Sequence, residues 1–285
     1  MLVTHGIQTQ NRQEVDNIRD AWDAIAAGYD EFVTPSHLWL ANEALDRLDP
    51  GPDTRFLDVA AGSGALSIAA ARRGARVLGT DISPGMIEHL NDNAHGQGLA
   101  NLAGRVMDGH NLELDDDTFD CSGSQFGVML FPDLPRGLRE MVRVTRTGGR
   151  VLMVTYGPPP QVEFLTFFME AARQVVPDFR GLPTDPPPLP FQVADPSKLR
   201  QELVKAGATD VTVDTSTETL EFASAAHLWS WLPSSNPIGA SLIASLSEEQ
   251  SDSVQHVLDD MLRERSGGSG PAHLTNPINI AVGTA

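Results

Sequence analysis

Between residues 55 and 157, five apolar runs alternate with helical patterns, and this alternation restricts the fold more than any other feature. The runs are RFLDVA (55–60), RVLGTD (76–81), LAGRVMD (102–108), FDCSGSQFGVML (119–130) and GGRVLMVTYG (148–157). Between them lie GALSIAAARRG (64–74), a helix over 83–98 with Ser83 at its N-cap and Pro84 at its first position, and a helix of about 135–146. Strands that are apolar throughout are buried on both faces, which calls for a parallel sheet with helices on either side. Right-handed crossovers then lead to a doubly wound, Rossmann-like α/β sheet.

The flanking segments extend this plan. DNIRDAWDAIAAGYD (16–30) carries Ile18, Trp22, Ile25 and Ala26 at helical spacing, and SHLWLANEALDRL (36–48) predicts a second helix with Ser36 as N-cap. Residues 1–15 are polar and lack a charged leader followed by an apolar stretch, so no signal peptide is expected there. Downstream, GPPP (157–160) and PTDPPPLP (183–190) bracket an apolar helix at 161–176, and a second helix follows at 196–207. TDVTVDTSTETLEF (209–222) predicts a long strand, 224–265 reads as helical, and LTNPINIAVGTA closes the chain as a strand. The pattern counts seven strands, the last near 274–284. The expected organisation is an N-terminal helical cap at 1–50 and one domain at 51–285. Lid insertions are expected at about 157–195 and 224–265.

The turn after the first strand, FLDVAAGSGAL (56–66), is the first candidate site. Glycines at a strand-to-helix turn let backbone approach a ligand closely. The dinucleotide fingerprint G-x-G-x-x-G/A is incomplete here, because the third position is Ser67. Asp58 stands four residues before Gly62, where a carboxylate repels a pyrophosphate and suits a cation or an amine. Asp81 ends the second strand 23 positions later, close to the roughly 20 expected of an acid that binds ribose hydroxyls. The turn therefore fits a ribose with a positive charge beside it, as in S-adenosyl-L-methionine.

Residues 55–156 resemble a class I S-adenosylmethionine-dependent methyltransferase, of the broad group that includes the ubiquinone/menaquinone C-methyltransferases, and the resemblance implies a mostly parallel seven-stranded sheet whose last strand, near 274–284, is antiparallel and inserted beside 209–222. LDVAAGSG resembles the first motif of that family, GTDISPGMI the second and MDGHNLELDDDTFD the third. LREMVRVTRTGGRVLMV resembles the stretch that usually holds a Pro-Gly-Gly turn, with Thr147 in place of the proline. AWDAIAAGYD resembles the N-terminal helix whose aromatic ring, here Tyr29 or Trp22, closes over the cofactor. The resemblance implies that Asp58 takes the methionine amine, and that Ala60, Gly62 and Gly64 line the cofactor with backbone. It further implies that Asp81 accepts the ribose hydroxyls, Ile82 stacks on adenine with Met86 nearby, and Asp108 accepts from the adenine amine beside Gly109. Ser124 and Gln125 would meet the methionine part, and the product would be S-adenosyl-L-homocysteine. Structural readings stand beside these roles: Asp58 as a turn cap, Ile82 and Met86 as helix core, Trp22 and Tyr29 as core.

Methyl transfer from a sulfonium is an in-line displacement, so the protein mainly places the acceptor and excludes water. An acceptor that must lose a proton needs a base. The candidates are His110, His37 and Gln125, and the sequence does not separate them. Segments 128–133, 164–169 and 227–237 are rich in aromatic and apolar residues and are expected to wall a chamber for a small, largely apolar molecule. No His, Cys and carboxylate cluster has metal-ligand spacing, so no metal is expected. With 20 Lys and Arg against 38 Asp and Glu, the net charge of −18 opposes a nucleic-acid partner. No apolar run is long enough to span a membrane, and the single cysteine, Cys121, suits a reducing cytoplasm. The oligomeric state is left open. Two other readings are an inactive S-adenosylmethionine-binding partner subunit and an NAD-dependent oxidoreductase.

Overall fold

The computed structural model describes residues 15–183 and 185–285. The polar stretch 1–14, with the leader question attached to it, lies outside the described residues. The sheet has seven strands: β1 (Arg55–Val59), β2 (Arg76–Asp81), β3 (Leu102–Val106), β4 (Phe119–Gln125), β5 (Thr145–Tyr156), β6 (Thr209–Phe222) and β7 (Ala272–Thr284). Their order is β3-β2-β1-β4-β5-β7-β6. The first five are parallel, and β7 runs antiparallel between β5 and β6, paired from Thr209–Thr284 to Phe222–Ala272. The order reverses between β1 and β4. The crevice at the carboxyl ends of those strands is where such sheets bind ligands.

The helices are α1 (residues 15–23), α2 (Thr34–Leu45), α3 (Ala65–Arg72), α4 (Pro84–Gly96), α5 (Leu134–Val144), α6 (Glu163–Val175), α7 (Pro196–Lys205), α8 (Ala225–Ser235), α9 (Pro237–Ala244) and α10 (Glu248–Arg265). Their buried faces follow from the sequence pattern. Phe56, Leu57, Val151, Leu152 and Val154 are fully buried in the sheet, with Leu66 and Ile68 of α3 packed over them. Ser83 caps α4 by accepting from the Met86 N–H at 3.1 Å, and Asp195 caps α7 in the same way through Lys198. Among the described residues no helix is long and apolar enough to cross a membrane.

Two boundaries differ from expectation. The second helix begins at Thr34 and ends at Leu45, because the chain never leaves helical backbone after Gly28: Tyr29–Val33 form a π-turn that runs straight into α2. Pro35, which has no N–H to give the preceding turn, sits where the π-turn passes into α2. Ser36 is therefore inside the helix and donates to the Val33 carbonyl at 2.7 Å instead of capping. Strand β4 stops at Gln125, since Phe126 turns the chain with a left-handed φ of +59°. Val128–Leu130 then form a 3₁₀ turn.

The segment with Thr147 in place of proline lies inside β5. Thr147 donates its N–H to Asp117 at 2.9 Å, which a proline could not do. Gly148 and Gly149 bond the chain end through Gly148 N–Ala285 O and Ala285 N–Gly149 O. A Cβ on Gly149 would lie 2.6 Å from the Asp120 carbonyl oxygen and 2.8 Å from that of Arg146. Gly149→Ala is expected to lower stability by about 1–3 kcal/mol, read as a drop in thermal midpoint, whereas Gly51→Ala, with open space around it, should leave the midpoint nearly unchanged.

Candidate active site

A cleft of about 750 Å³ opens at the carboxyl ends of β1, β2 and β4. The turn after β1 forms one side. Ala60 and Gly62 both take left-handed φ, +55° and +54°, which folds the backbone back into the cleft. Alanine is held there although the conformation favours glycine, a local strain of the kind that collects at ligand sites. A Cβ on Gly62 would lie 3.0 Å from the Tyr29 ring, so this glycine lets the tyrosine settle on the turn.

Asp81 lines the cleft from the end of β2 and is buried. Its Oδ2 accepts from the Gly62 N–H at 2.9 Å and its Oδ1 from the Ser83 N–H at 3.0 Å. Burial raises its pKa, opposed by the N–H groups of Ser83, Gly62 and Ile82. Ile82 and Met86 line the same wall, and Asp108, Gly109 and His110 close the far end. The Asp108 Oδ1 accepts from the His110 N–H and meets its ring Nδ1, both at 2.9 Å. Burial pushes the Asp108 pKa up, but His110 outweighs it and holds the carboxyl below its ordinary value. The His110 ring packs on Phe131 with centroids 4.4 Å apart.

Three expected residues do not line this cleft. Gly64 stands behind the turn as N-cap of α3, with φ +104° and Leu90 and Ile68 beside it. The Ser124 hydroxyl is spent on the turn after β4, accepting from the Val128 N–H at 3.0 Å. Asp58 is buried beneath the turn, where its Oδ2 accepts from the Ser67 hydroxyl at 2.7 Å. Its Oδ1 is buried with no partner. Burial, against the Ser67 hydrogen bonds, pushes its pKa up to about 7. An acid left short of partners in this way suits an incoming amine. Gln125 does line the cleft, and its Nε2 donates to the His37 carbonyl at 3.1 Å.

His37 belongs to a second cavity of about 380 Å³ that shares Trp22, Tyr29, Phe126 and Leu130 with the first. The three segments expected to wall a chamber meet here, through Met129, Phe164, Trp231 and Asn236. Phe167, Phe168 and Met169 do not line it, and Phe168 instead packs on Phe179 and Trp229. Phe126 stacks on Tyr156 at 4.3 Å, and Phe164 meets Trp231 edge-on at 4.9 Å. The His37 Nε2 lies 3.5 Å from the Glu218 Oε1. Glu218 was missed by the site reading, although its signal was present. In TETLEF the period of two puts Glu218 on the face of Leu220 and Phe222, and that face is buried.

The N-terminal elements are tied to the turn. Thr34 and Ser63 hydroxyls lie 2.5 Å apart, and Asn93 bridges Asp30 and the Ser63 carbonyl. Asp23 accepts from the Ser83 hydroxyl and the Gly85 N–H, both at 2.7 Å. Among the described residues no three His, Cys, Asp or Glu side chains converge to hold a metal ion.

Residues 57–153 match a family described as a methyltransferase domain. A demethylmenaquinone methyltransferase of Corynebacterium kroppenstedtii is 36% identical over 46% of this chain and 54% of its own length. One from Mycobacterium marinum is 30% identical over 56% of this chain and 68% of its own. The chain thus spans about half the length of the first of these relatives. The fold resembles that of phosphoethanolamine N-methyltransferase 2 of Haemonchus contortus, solved with phosphomonomethylethanolamine and S-adenosylhomocysteine. Its TM-score is 0.57 at 17% identity, covering 94% of this chain and 59% of that one.

A carboxyl whose folded pKa exceeds its unfolded one stabilises below the unfolded value and loses that contribution as pH rises through the folded one. For Asp58 the window runs from 3.8 to about 7. Asp58→Asn is therefore expected to raise the thermal stability of the ligand-free protein at pH 8 by about 1–2 kcal/mol and to change it little at pH 4. Melting curves at the two pH values check this.

Proposed function

The chain belongs to the class I S-adenosylmethionine-dependent methyltransferases, and from that premise we propose that it transfers the methyl group of S-adenosylmethionine to a small, largely apolar molecule held in the second cavity. The observation that carries this reading is the join between the two cavities. The Asp81-anchored cleft and the aromatic chamber share one wall, so a methyl group presented from one faces an acceptor in the other.

The lining of the cleft supports the following roles. S-adenosylmethionine supplies a methyl group already activated on a sulfonium. Asp81 holds the ribose hydroxyls with the lone pairs not taken by Gly62 and Ser83. Ile82 and Met86 pack against the adenine, and Asp108 takes its amine with the oxygen that His110 leaves free. Ala60 and Gly62 bring bare backbone to the methionine part. Asp58, whose Oδ1 is buried without a partner among the described residues, would take the cofactor's amine, through water or after a small shift of the turn. Tyr29 and Trp22, edge-to-face at 6.3 Å, lie over both cavities and exclude water from the transfer. The excess of acidic residues favours a small molecule over nucleic acid as acceptor. We place the protein in the cytoplasm.

Calorimetric titration with S-adenosylmethionine, with NAD as control, tests the cofactor reading. Micromolar binding is expected for the wild type, and Asp81→Ala should weaken it at least about 100-fold, the loss of two charge-assisted hydrogen bonds. NAD should not bind. A protein that binds the cofactor but methylates none of a set of phenols, quinols and amines would argue against catalysis.

A further inference from the structure

The second cavity carries an imidazole on a wall made mostly of aromatic and apolar residues. His37 presents its ring to the cavity from α2, and Glu218 stands behind it on β6. His37 Nε2 and Glu218 Oε1 are buried and have no hydrogen-bond partner within normal distance, so each is the other's nearest complement at 3.5 Å. The other Glu218 oxygen accepts from the Asn276 amide at 3.1 Å, and the Tyr156 side chain acts on the same carboxyl group. These contacts fix the carboxyl group and leave its free oxygen directed at the imidazole.

The groups that face Glu218 are His37 from α2, Tyr156 from β5 and Asn276 from β7. Tyr29 of the π-turn acts on it from a greater distance, and Asp58 and Asp81 act on Tyr29 in turn. Among the described residues no lysine or arginine joins them. A buried carboxyl without a cation is costly when ionised, so Glu218 stays the neutral acid until a positive charge from outside the chain favours its ionisation. The proposed cofactor carries one.

Resting on the methyltransferase reading, we propose that His37 and Glu218 act together to take the proton of a hydroxyl-bearing aromatic acceptor, with His37 meeting the hydroxyl and Glu218 as the positioning residue. The bookkeeping closes. The O–H bond breaks and its proton moves to the imidazole. The freed oxygen pair forms the bond to the methyl carbon, and the C–S electron pair stays with sulfur. Before transfer the cavities hold a sulfonium and a carboxylate. Afterwards the thioether and the ether are neutral, and the imidazolium lies against the carboxylate. Separated charges are thereby removed from a medium of low dielectric, which favours the forward direction. The aromatic rings that line the chamber suit an aromatic acceptor, and an anionic acceptor would meet the charge of Glu218.

Burial pushes the Glu218 carboxyl up to about 8 and the His37 imidazole down to about 4. The pair is thus competent as a base once Glu218 has ionised, a change that the sulfonium promotes. Titration calorimetry near pH 7.5 in buffers of differing ionisation heat counts the protons released. S-adenosylmethionine should release more than S-adenosylhomocysteine, and Glu218→Gln should abolish the difference. Methylation of 1-naphthol should rise between pH 7 and 9 in the wild type and fall about 100-fold or more in His37→Gln. In Glu218→Gln the rate should fall and the rise with pH should disappear. Affinity for S-adenosylhomocysteine, expected within about twofold of wild type in both variants because neither residue lines the cofactor cleft, shows that they have folded. Equal proton release with both ligands, variants as fast as wild type, or no naphthol methylation by a wild type that binds the cofactor would overturn the proposal. Failure to bind S-adenosylmethionine at all would instead remove the methyltransferase reading beneath it.

Discussion

The Asp81 carboxylate holds two turns of backbone at once, and the geometry of the cleft depends on it. One oxygen takes the Gly62 N–H and the other the Ser83 N–H. The end of β2 is thereby joined to the glycine turn and to the start of α4. Ser83 extends the linkage, since its hydroxyl caps α4 and also donates to Asp23 at the end of α1. Thr34 and Asn93 make the second connection, from the N-terminal elements to Ser63. The aromatic cover over the cleft is therefore anchored to the same few backbone groups that shape its floor. Loss of the carboxylate would loosen the turn and its cover together.

The electrostatics have a single logic. Asp58, Asp81 and Glu218 are acids taken out of water, and burial raises the pKa of each. Among the described residues none of the three has a lysine or arginine partner, while acids such as Asp116 and Glu140 pair with Arg143. The interior thus keeps its carboxyl groups free of protein cations. Such an arrangement is unfavourable for an empty protein and favourable for one that takes up a cationic ligand. Stability and binding pull in opposite directions at these positions.

Much of this was legible in the sequence, for physical reasons that can be named. Apolar runs of strand length between helical patterns leave few sheet topologies, and the glycine turn with Asp81 at the next strand end marks the crevice. The strand pattern at 209–222 followed from alternation, whereas the antiparallel direction of the closing strand followed only from the family resemblance. The π-turn at Tyr29–Val33 was not legible, because its residues read equally well as a break between two helices. The end of β4 was also hidden: Phe126 looks like one more apolar strand residue, and only the packing of its ring between His37 and Tyr156 holds it in the left-handed region. Gly64 and Ser124 were drawn toward the ligand by position in a motif, whereas their backbone and hydroxyl serve the turns behind it. Glu218 lay in plain alternation, but a charged residue in an acidic strand reads as solvated unless the face is counted.

The wall common to the two cavities divides the chain's information. Nearly everything on the cofactor side comes from the matched stretch 57–153. The far side of the chamber comes from α2, α6, α8 and the end of β5, most of it outside that stretch. Substitutions in α6 and α8 can therefore reshape what enters the chamber without disturbing the sheet or the turn that Asp81 holds. Inheritance can conserve the reaction and renew its object, and a lineage carrying this architecture can diversify its substrates while the machinery of transfer stays fixed.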